Sequence, residues 1–470
     1  MKVLLVAVNN EHFPYPVPPL GASYIGQAVA SAGHELTFLD LCFAPGEGAA
    51  ELEAAITDLE PQVVAFSIRN IDNVSLIQQT HYLPRILRLI QLCGQLSPAP
   101  RILGGSGFSI MPQLILQLSG AQWGVVGPGE GSILSFLDAL AQNQPMTQVP
   151  GLCWIEGETW HQNPKTAAAF DQPAGYGLID LEQYEARRGL VNVLTKRGCP
   201  FKCSYCTYPA ISGTATSTRP TASVVRDLAA LKERGLKGPV FFVDDVFNHP
   251  THQAAELAQA LIKARLDIGW YAFASPRGFD QRLAELFRES GCLGLEFGTD
   301  AAHPKTLAGL QKDFSPQDIR RSIEACNQAG LPAAHYLIFM GPDEDEESFE
   351  ATLELFEQHR PTAAIAFLGP RIFPNTQLAQ RALADGLIDR TDDLREPRFY
   401  LSPKIGQEPV RARLQQLAQG DSFWQVPGLG PAPNQALLNQ LFERGYRGPA
   451  WDLLDPQVVR RVSLMGRKRR

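Results

Sequence analysis

The chain has 470 residues, 44% of them hydrophobic and 19% charged, a length that suggests about three domains at ~150 residues each. That composition excludes a disulfide-stapled module, wholesale disorder and a coiled coil. With 49 acidic and 42 basic side chains the net charge is −7, so there is no general attraction to nucleic acid phosphates or anionic lipid.

The apolar run from Met1 to Val8 is short and leads into polar Asn9, Asn10, Glu11 and His12 rather than a small-residue cleavage site, so no signal peptide is expected. Nowhere do about 18 apolar residues follow one another, so no membrane span is expected and the cytoplasm is the expected compartment. Arg460, Arg461, Arg467, Lys468, Arg469 and Arg470 read as a solvated basic tail.

In chain order, short β-branched runs at Lys2 to Val8, Glu35 to Leu39, Val63 to Ser67, Arg101 to Leu103 and Trp123 to Val126 alternate with helical stretches. That is the pattern of a doubly wound parallel sheet. Such sheets bind ligands outside the carboxyl ends of their strands. The segments Gly104-Gly105-Ser106-Gly107 and Gly127-Pro128-Gly129-Glu130-Gly131 fall there and suggest a cleft, although glycine after a strand is also ordinary turn chemistry. From about Pro150 to Arg188 the text is irregular and reads as a connector. Strand and helix then alternate again from Gly189 to about Pro374, with strands expected at Val191 to Thr195, Val240 to Val243, Trp270 to Ala274, Gly294 to Phe297, His335 to Met340 and Ala363 to Leu368. Six such repeats fit an incomplete βα barrel. The remainder is mostly helical.

Five of the eight cysteines, Cys42, Cys93, Cys153, Cys292 and Cys326, are scattered in apolar contexts and read as core thiols. Cys199, Cys203 and Cys206 crowd into the loop Arg197-Gly198-Cys199-Pro200-Phe201-Lys202-Cys203-Ser204-Tyr205-Cys206. Thiolates prefer zinc, copper(I) or iron-sulfur clusters. A structural zinc site wants a fourth ligand close by, whereas the nearest downstream histidine, His249, is more than 40 residues away. Three cysteines suit a four-iron cluster with one iron open; zinc and buried thiols remain the alternatives.

The loop, with aromatic Tyr205 before its last cysteine, resembles the cluster motif of the radical S-adenosylmethionine (radical SAM) superfamily. The resemblance implies a [4Fe-4S] cluster on Cys199, Cys203 and Cys206, whose open iron chelates S-adenosylmethionine and cleaves it reductively to a 5′-deoxyadenosyl radical. It further implies contacts to that cofactor from Tyr205, from Asp244 or Asp245 at the cofactor's ammonium group, from Asp300 at the ribose hydroxyls and from Ile338 along the adenine. The order open sheet, connector, barrel resembles the cobalamin-binding class of this superfamily over about residues 1 to 400. In that class the corrin would lie over Ser67, Arg69, Asn70, Gly104, Gly105, Ser106, Gly127, Gly129 and Glu130. The Asp-x-His-x-x-Gly motif that supplies an axial histidine in many cobalamin domains is absent.

The expected organisation is α/β: a doubly wound, Rossmann-like cobalamin-binding domain (1–145), a connector (146–188), a partial (β/α)6 radical SAM barrel (189–376) and a C-terminal mostly helical region (377–470). The resemblance implies C-methylation of an unactivated carbon in a small molecule, with electrons from a donor such as flavodoxin or ferredoxin. Cyclisation, rearrangement or oxidation of a tetrapyrrole, lipid or natural product is the alternative within the superfamily, and a non-enzymatic iron-sulfur redox protein lies outside it. No single residue is marked by the sequence as the acid or base of the chemistry.

Overall fold

A computed structural model describes residues 1–165, 170–431 and 435–465. In the first sheet β1 (Lys2–Ala7), β2 (Glu35–Asp40), β3 (Val63–Ser67), β4 (Arg101–Gly104) and β5 (Trp123–Val125) run parallel in the order β2-β1-β3-β4-β5. Val3 to Val8 and Val63 to Phe66 are buried throughout, as strands covered on both faces must be. Leu4, Val6, Val64 and Phe66 pack on the helix Leu83–Leu96. Val3, Leu5, Val63 and Ala65 face the helices Leu20–Ser31 and Glu130–Ala141. Strand order reverses between β1 and β3, which places the ligand crevice of this topology at the carboxyl ends of those two strands.

Residues 152–162, expected within an irregular connector, instead form the antiparallel hairpin β6 (Leu152–Glu156) and β7 (Thr159–Gln162), and β6 pairs with β5 to extend the first sheet. Its two-residue turn opens on Gly157 at φ +61°, a conformation that favours glycine.

The second domain holds β8 (Val191–Val193), β9 (Lys196–Arg197), β10 (Ser217–Thr218), β11 (Val240–Phe242), β12 (Trp270–Ala274), β13 (Cys292–Asp300), β14 (Ala333–Phe339), β15 (Ala363–Leu368) and β16 (Trp424–Gln425). Six parallel strands run β8-β11-β12-β13-β14-β15, as the partial barrel requires, and β16 adds a seventh at the far edge. The short β9–β10 ladder closes the base of the cysteine loop.

Strand alternation sorts the barrel into two faces. Val193, Phe242, Ala272, Leu295 and Phe297 pack outward against the helices Thr221–Glu233, Thr251–Ala264 and Gln281–Glu289. Phe241, Tyr271, Glu296, Tyr336 and Phe367 therefore point into the lumen. Phe273, flanked by buried Ala272 and Ala274, is 38% exposed, and Gly298 on the central β13 is exposed too. The upper lumen is thus hollow. Its floor is closed by Trp451 and Leu454, which pack with Phe241, Tyr271 and Ile365, so the C-terminal region contributes a plug and a strand as well as helices. Arg467, Lys468, Arg469 and Arg470 of the basic tail lie outside the described residues.

Candidate active site

The cysteine loop is held on three sides. Cys199 N–H donates to Gly213 O (3.1 Å), Ser204 N–H donates to Leu310 O (2.9 Å), and Leu378 N–H donates to Ser204 O (2.8 Å). Gly198 sits at φ +87°, and a Cβ there would lie 2.1 Å from Ala215 O, so only glycine makes this turn. Burial pushes up all three thiols, and neighbouring thiols add to the effect at Cys199 and Cys206; Cys206 reaches about 12. Among the described residues no three His, Cys, Asp or Glu side chains converge as the ligands of one metal ion would. A four-iron cluster takes each thiolate on a different iron and needs no such convergence.

Behind the loop, Tyr205 OH donates to Asp300 Oδ2 (2.6 Å), and the same oxygen accepts from Lys312 Nζ (2.7 Å). Burial disfavours the Lys312 cation, but Asp300 and the cysteine thiols outweigh it and hold the amine above its ordinary value. Asp300 stands at φ +66°, where the β13–β14 register shifts, and this turns its carboxylate towards the loop. Asp300, expected at the ribose hydroxyls, has its Oδ2 engaged by Tyr205 and Lys312, and the carboxylate of this strand that faces the lumen is Glu296. Trp451 Nε1 donates to Glu296 Oε1 (2.9 Å), Tyr336 is a second partner, and burial raises the carboxyl to about 7 against both. Glu296 went unread in the sequence, although its place between Leu295 and Phe297 marks it as inward-facing.

The two expected ammonium ligands part company. Asp244 is fully buried and accepts from Thr195 N–H (2.7 Å), the Thr195 hydroxyl and Lys196 N–H (3.2 Å), with Lys196 Nζ at 3.7 Å. Its work is internal, against the expectation that it could face a cofactor. Asp245 lines the open cleft, accepts from Ser212 Oγ (2.8 Å), and is raised by burial to about 6. Ile338 lies between outward-packed Leu337 and Phe339 and faces the lumen.

A cavity of about 360 Å³ separates the two domains. Of the residues expected at a corrin, Ser67, Arg69, Gly104, Gly105, Ser106, Gly127, Gly129 and Glu130 line it; Asn70 does not. The opposite wall comes from the barrel mouth, with Leu194, Tyr208, Ser212, Val243 and Asp245. Gly105 sits at φ +98° with a virtual Cβ 2.5 Å from Ile68 O, and Ser106 Oγ donates to Arg69 O (2.5 Å). These contacts hold the strand ends flat and close to the cleft. At the same strand ends, the buried amide of Asn9 and Oδ1 of Asn70 lack any hydrogen-bond partner, and such orphaned groups suit a polar ligand. Glu130 is less free than expected: it pairs with Arg197 of β9 (Arg197 Nη1 to Oε2, 3.1 Å). The Arg197 guanidinium also stacks 3.9 Å above the Phe170 ring. This bridge ties the cleft wall directly to the cysteine loop.

The fold and the site together define a class, a doubly wound ligand domain docked on a cysteine-loop barrel. Residues 6–137 match the B12 binding domain and residues 193–356 match the Radical SAM superfamily; the chain thus carries a B12-binding domain followed by a radical SAM domain. It is 24% identical to the tryptophan 2-C-methyltransferase of Streptomyces laurentii over 88% of this chain and 79% of that one. It is 26% identical to the hopanoid C-3 methylase of Methylococcus capsulatus over 71% and 62%. Its fold is that of the radical S-adenosylmethionine methyltransferase TsrM from Kitasatospora setae, solved with cobalamin and a [4Fe-4S] cluster bound, at TM-score 0.84 and 24% identity over 99% and 98%. Among the described residues no helix is long and apolar enough to cross a membrane.

Proposed function

We propose that this protein is a cobalamin-dependent radical SAM enzyme that methylates a carbon of a small molecule. The observation that carries the reading is the cavity between the domains, with the glycine-lined strand ends of the B12-binding domain on one wall and Asp245, Tyr208 and Ser212, beside the cysteine loop, on the other. Cluster and cobalamin would supply, respectively, a one-electron source that binds S-adenosylmethionine and a methyl carrier. Cys199, Cys203 and Cys206 hold the cluster; Asp245 meets the ammonium group of S-adenosylmethionine, and Ile338 lies along its adenine. Arg69 presents its guanidinium to the corrin, and Gly104, Gly105, Gly127 and Gly129 let it approach the backbone closely. The hollow lumen, walled by Phe273, Tyr336 and Phe367, takes the substrate, and its closed floor excludes bulk water. Relatives named as methylases of tryptophan and of hopanoids support methyl transfer to carbon. A low-potential donor of the flavodoxin or ferredoxin class completes the system.

The test is anaerobic purification from cobalamin-supplied cells, reconstitution with iron and sulfide, and incubation with methyl-labelled S-adenosylmethionine and panels of indolic, isoprenoid and tetrapyrrole compounds. The expected result is about one corrin and four irons per chain, with label in a carbon-methylated product. A cluster without corrin, or turnover of a competent substrate without label in any product, refutes the reading.

A further inference from the structure

We propose that Lys312 is a positioning residue whose charge sets the reduction potential of the cluster on Cys199, Cys203 and Cys206, with Asp300 as the counterweight. The inference rests on the cluster reading given above. After the helix Pro304–Gly309 the chain turns at Gln311 (φ +55°), and Lys312 N–H donates to Leu307 O at 2.9 Å. The Lys312 side chain is thereby turned back against the loop. It is 7% exposed, Asp300 is 4% exposed, and the two form a buried ion pair. The same segment supplies Leu310 O and Gly309 O to Ser204, so the ammonium is braced on the loop it acts upon.

Three observations make this more than packing. Lys312 Nζ stands 5.9 Å from the centre of the Tyr205 ring, within the cysteine segment itself. Its positive charge acts on all three thiols, opposing the upward push of burial at Cys199, Cys203 and Cys206. The centre of the Phe314 ring stands 5.5 Å from Nζ, so the ammonium is flanked by Asp300 and two aromatic rings and keeps its charge beside the loop.

Three thiolates on an oxidised four-iron cluster leave one net negative charge, and a single electron from an external low-potential donor raises it to two. The net charge nearby and hydrogen bonds to the sulfurs are the groups by which a protein tunes this step. A buried cation beside the thiolates stabilises the reduced form, and a buried carboxylate opposes it. Removing each should therefore move the potential in opposite directions, whereas a purely structural role predicts loss of cluster from both or no shift in either.

The experiment is an EPR-monitored reductive titration of the reconstituted full chain, with iron quantified in each sample. Wild type, Lys312→Met, Lys312→Arg and Asp300→Asn are compared. The expected result is a more negative midpoint in Lys312→Met, a near-native midpoint in Lys312→Arg and a more positive one in Asp300→Asn. Unshifted midpoints in iron-replete Lys312→Met overturn the inference. If Lys312→Met cannot hold iron, Asp300→Asn decides it: a positive shift upholds the charge argument and an unmoved midpoint refutes it. A wild-type chain that binds no iron overturns the cluster reading and this inference with it.

Discussion

Replacing Arg197 with methionine keeps most of its volume and removes the charge that faces Glu130. In the native chain the two side chains are 17% and 12% exposed, so the variant leaves a carboxylate in a mostly dry cleft wall without its partner. Breaking a buried pair in this way costs about 3–5 kcal/mol, and loss of the stacking on Phe170 adds about 0.5–1 kcal/mol. Taking an unfolding entropy of about 2.1 cal/mol/K per residue, the 470 residues correspond to roughly 1 kcal/mol/K. The melting temperature should then fall by about 4–6 °C. Because the bridge joins the first-sheet wall to the cysteine loop, the variant should also release corrin faster on gel filtration. Thermal unfolding of Arg197→Met, Glu130→Gln and the double variant measures the effect, and the double variant should recover part of the loss, which gives the coupling energy. A cost below about 1 kcal/mol, the value of an exposed ion pair, or strict additivity in the double variant, would refute the idea that this bridge holds the domains in register.

Cys199→Ala, Cys203→Ala and Cys206→Ala should each lose cluster iron on reconstitution, whereas Cys326→Ala, a core thiol of the barrel wall, should retain it; retained iron and S-adenosylmethionine cleavage in any of the first three sinks the ligand assignment. Gly105→Ala places a methyl group 2.5 Å from Ile68 O at φ +98°, costing about 1–3 kcal/mol in backbone strain; it should abolish corrin uptake, read from the visible spectrum, and normal uptake would show that this loop does not face the corrin. Glu296 titrates near 7 in the folded chain against an ordinary 4.5. Between those values the native state holds a proton that the unfolded chain has lost, so stability falls as pH rises through this window, by about 3 kcal/mol in all at 1.36 kcal/mol per pH unit. Glu296→Gln should flatten that slope in denaturation experiments at pH 5, 6 and 7, and an unchanged slope would mean that the carboxyl ionises at its ordinary value.

The two sheets and the cysteine loop were legible because their signals are local. Buried parallel strands read as continuous runs such as Val63 to Phe66, and three thiols within eight residues need no tertiary information. The hairpin at 152–162 was missed because Pro150, Gly151 and the turn at Gly157 look like loop punctuation, while the alternation of Cys153, Trp154 and Ile155 is too short to stand out. The acidic positions were harder for a different reason. Asp244 and Asp245 are neighbours in the chain but point to opposite sides of the strand end, and only the partners supplied by Thr195 and Ser212 distinguish the internal carboxylate from the open one. That Asp300 turns towards the cysteine loop while Glu296 faces the lumen depends on a register shift between Gly298 and Asp300, which no pattern in the sequence announces. Trp451 and Lys312 are contacts across long sequence separations, invisible to periodicity.

Two buried ion pairs make the relation between the domains definite. Besides Glu130–Arg197 at the cleft, Asp72, just beyond β3, pairs with Arg371, just beyond β15, at 3.0 Å with both side chains almost fully buried. Arg371 also donates to Leu394 O at 2.8 Å and to Ile372 O, so its guanidinium is shared among the first domain, the last barrel strand and the C-terminal region. One lock sits at the first barrel strand and the other at the sixth. Rotation of one domain about either lock is resisted by the other, because both would have to expose an unpaired charge. The cavity between them is therefore built to a set width, and the fold can vary its lumen lining at Phe273, Tyr336 and Phe367 without altering how the two cofactor sites face each other.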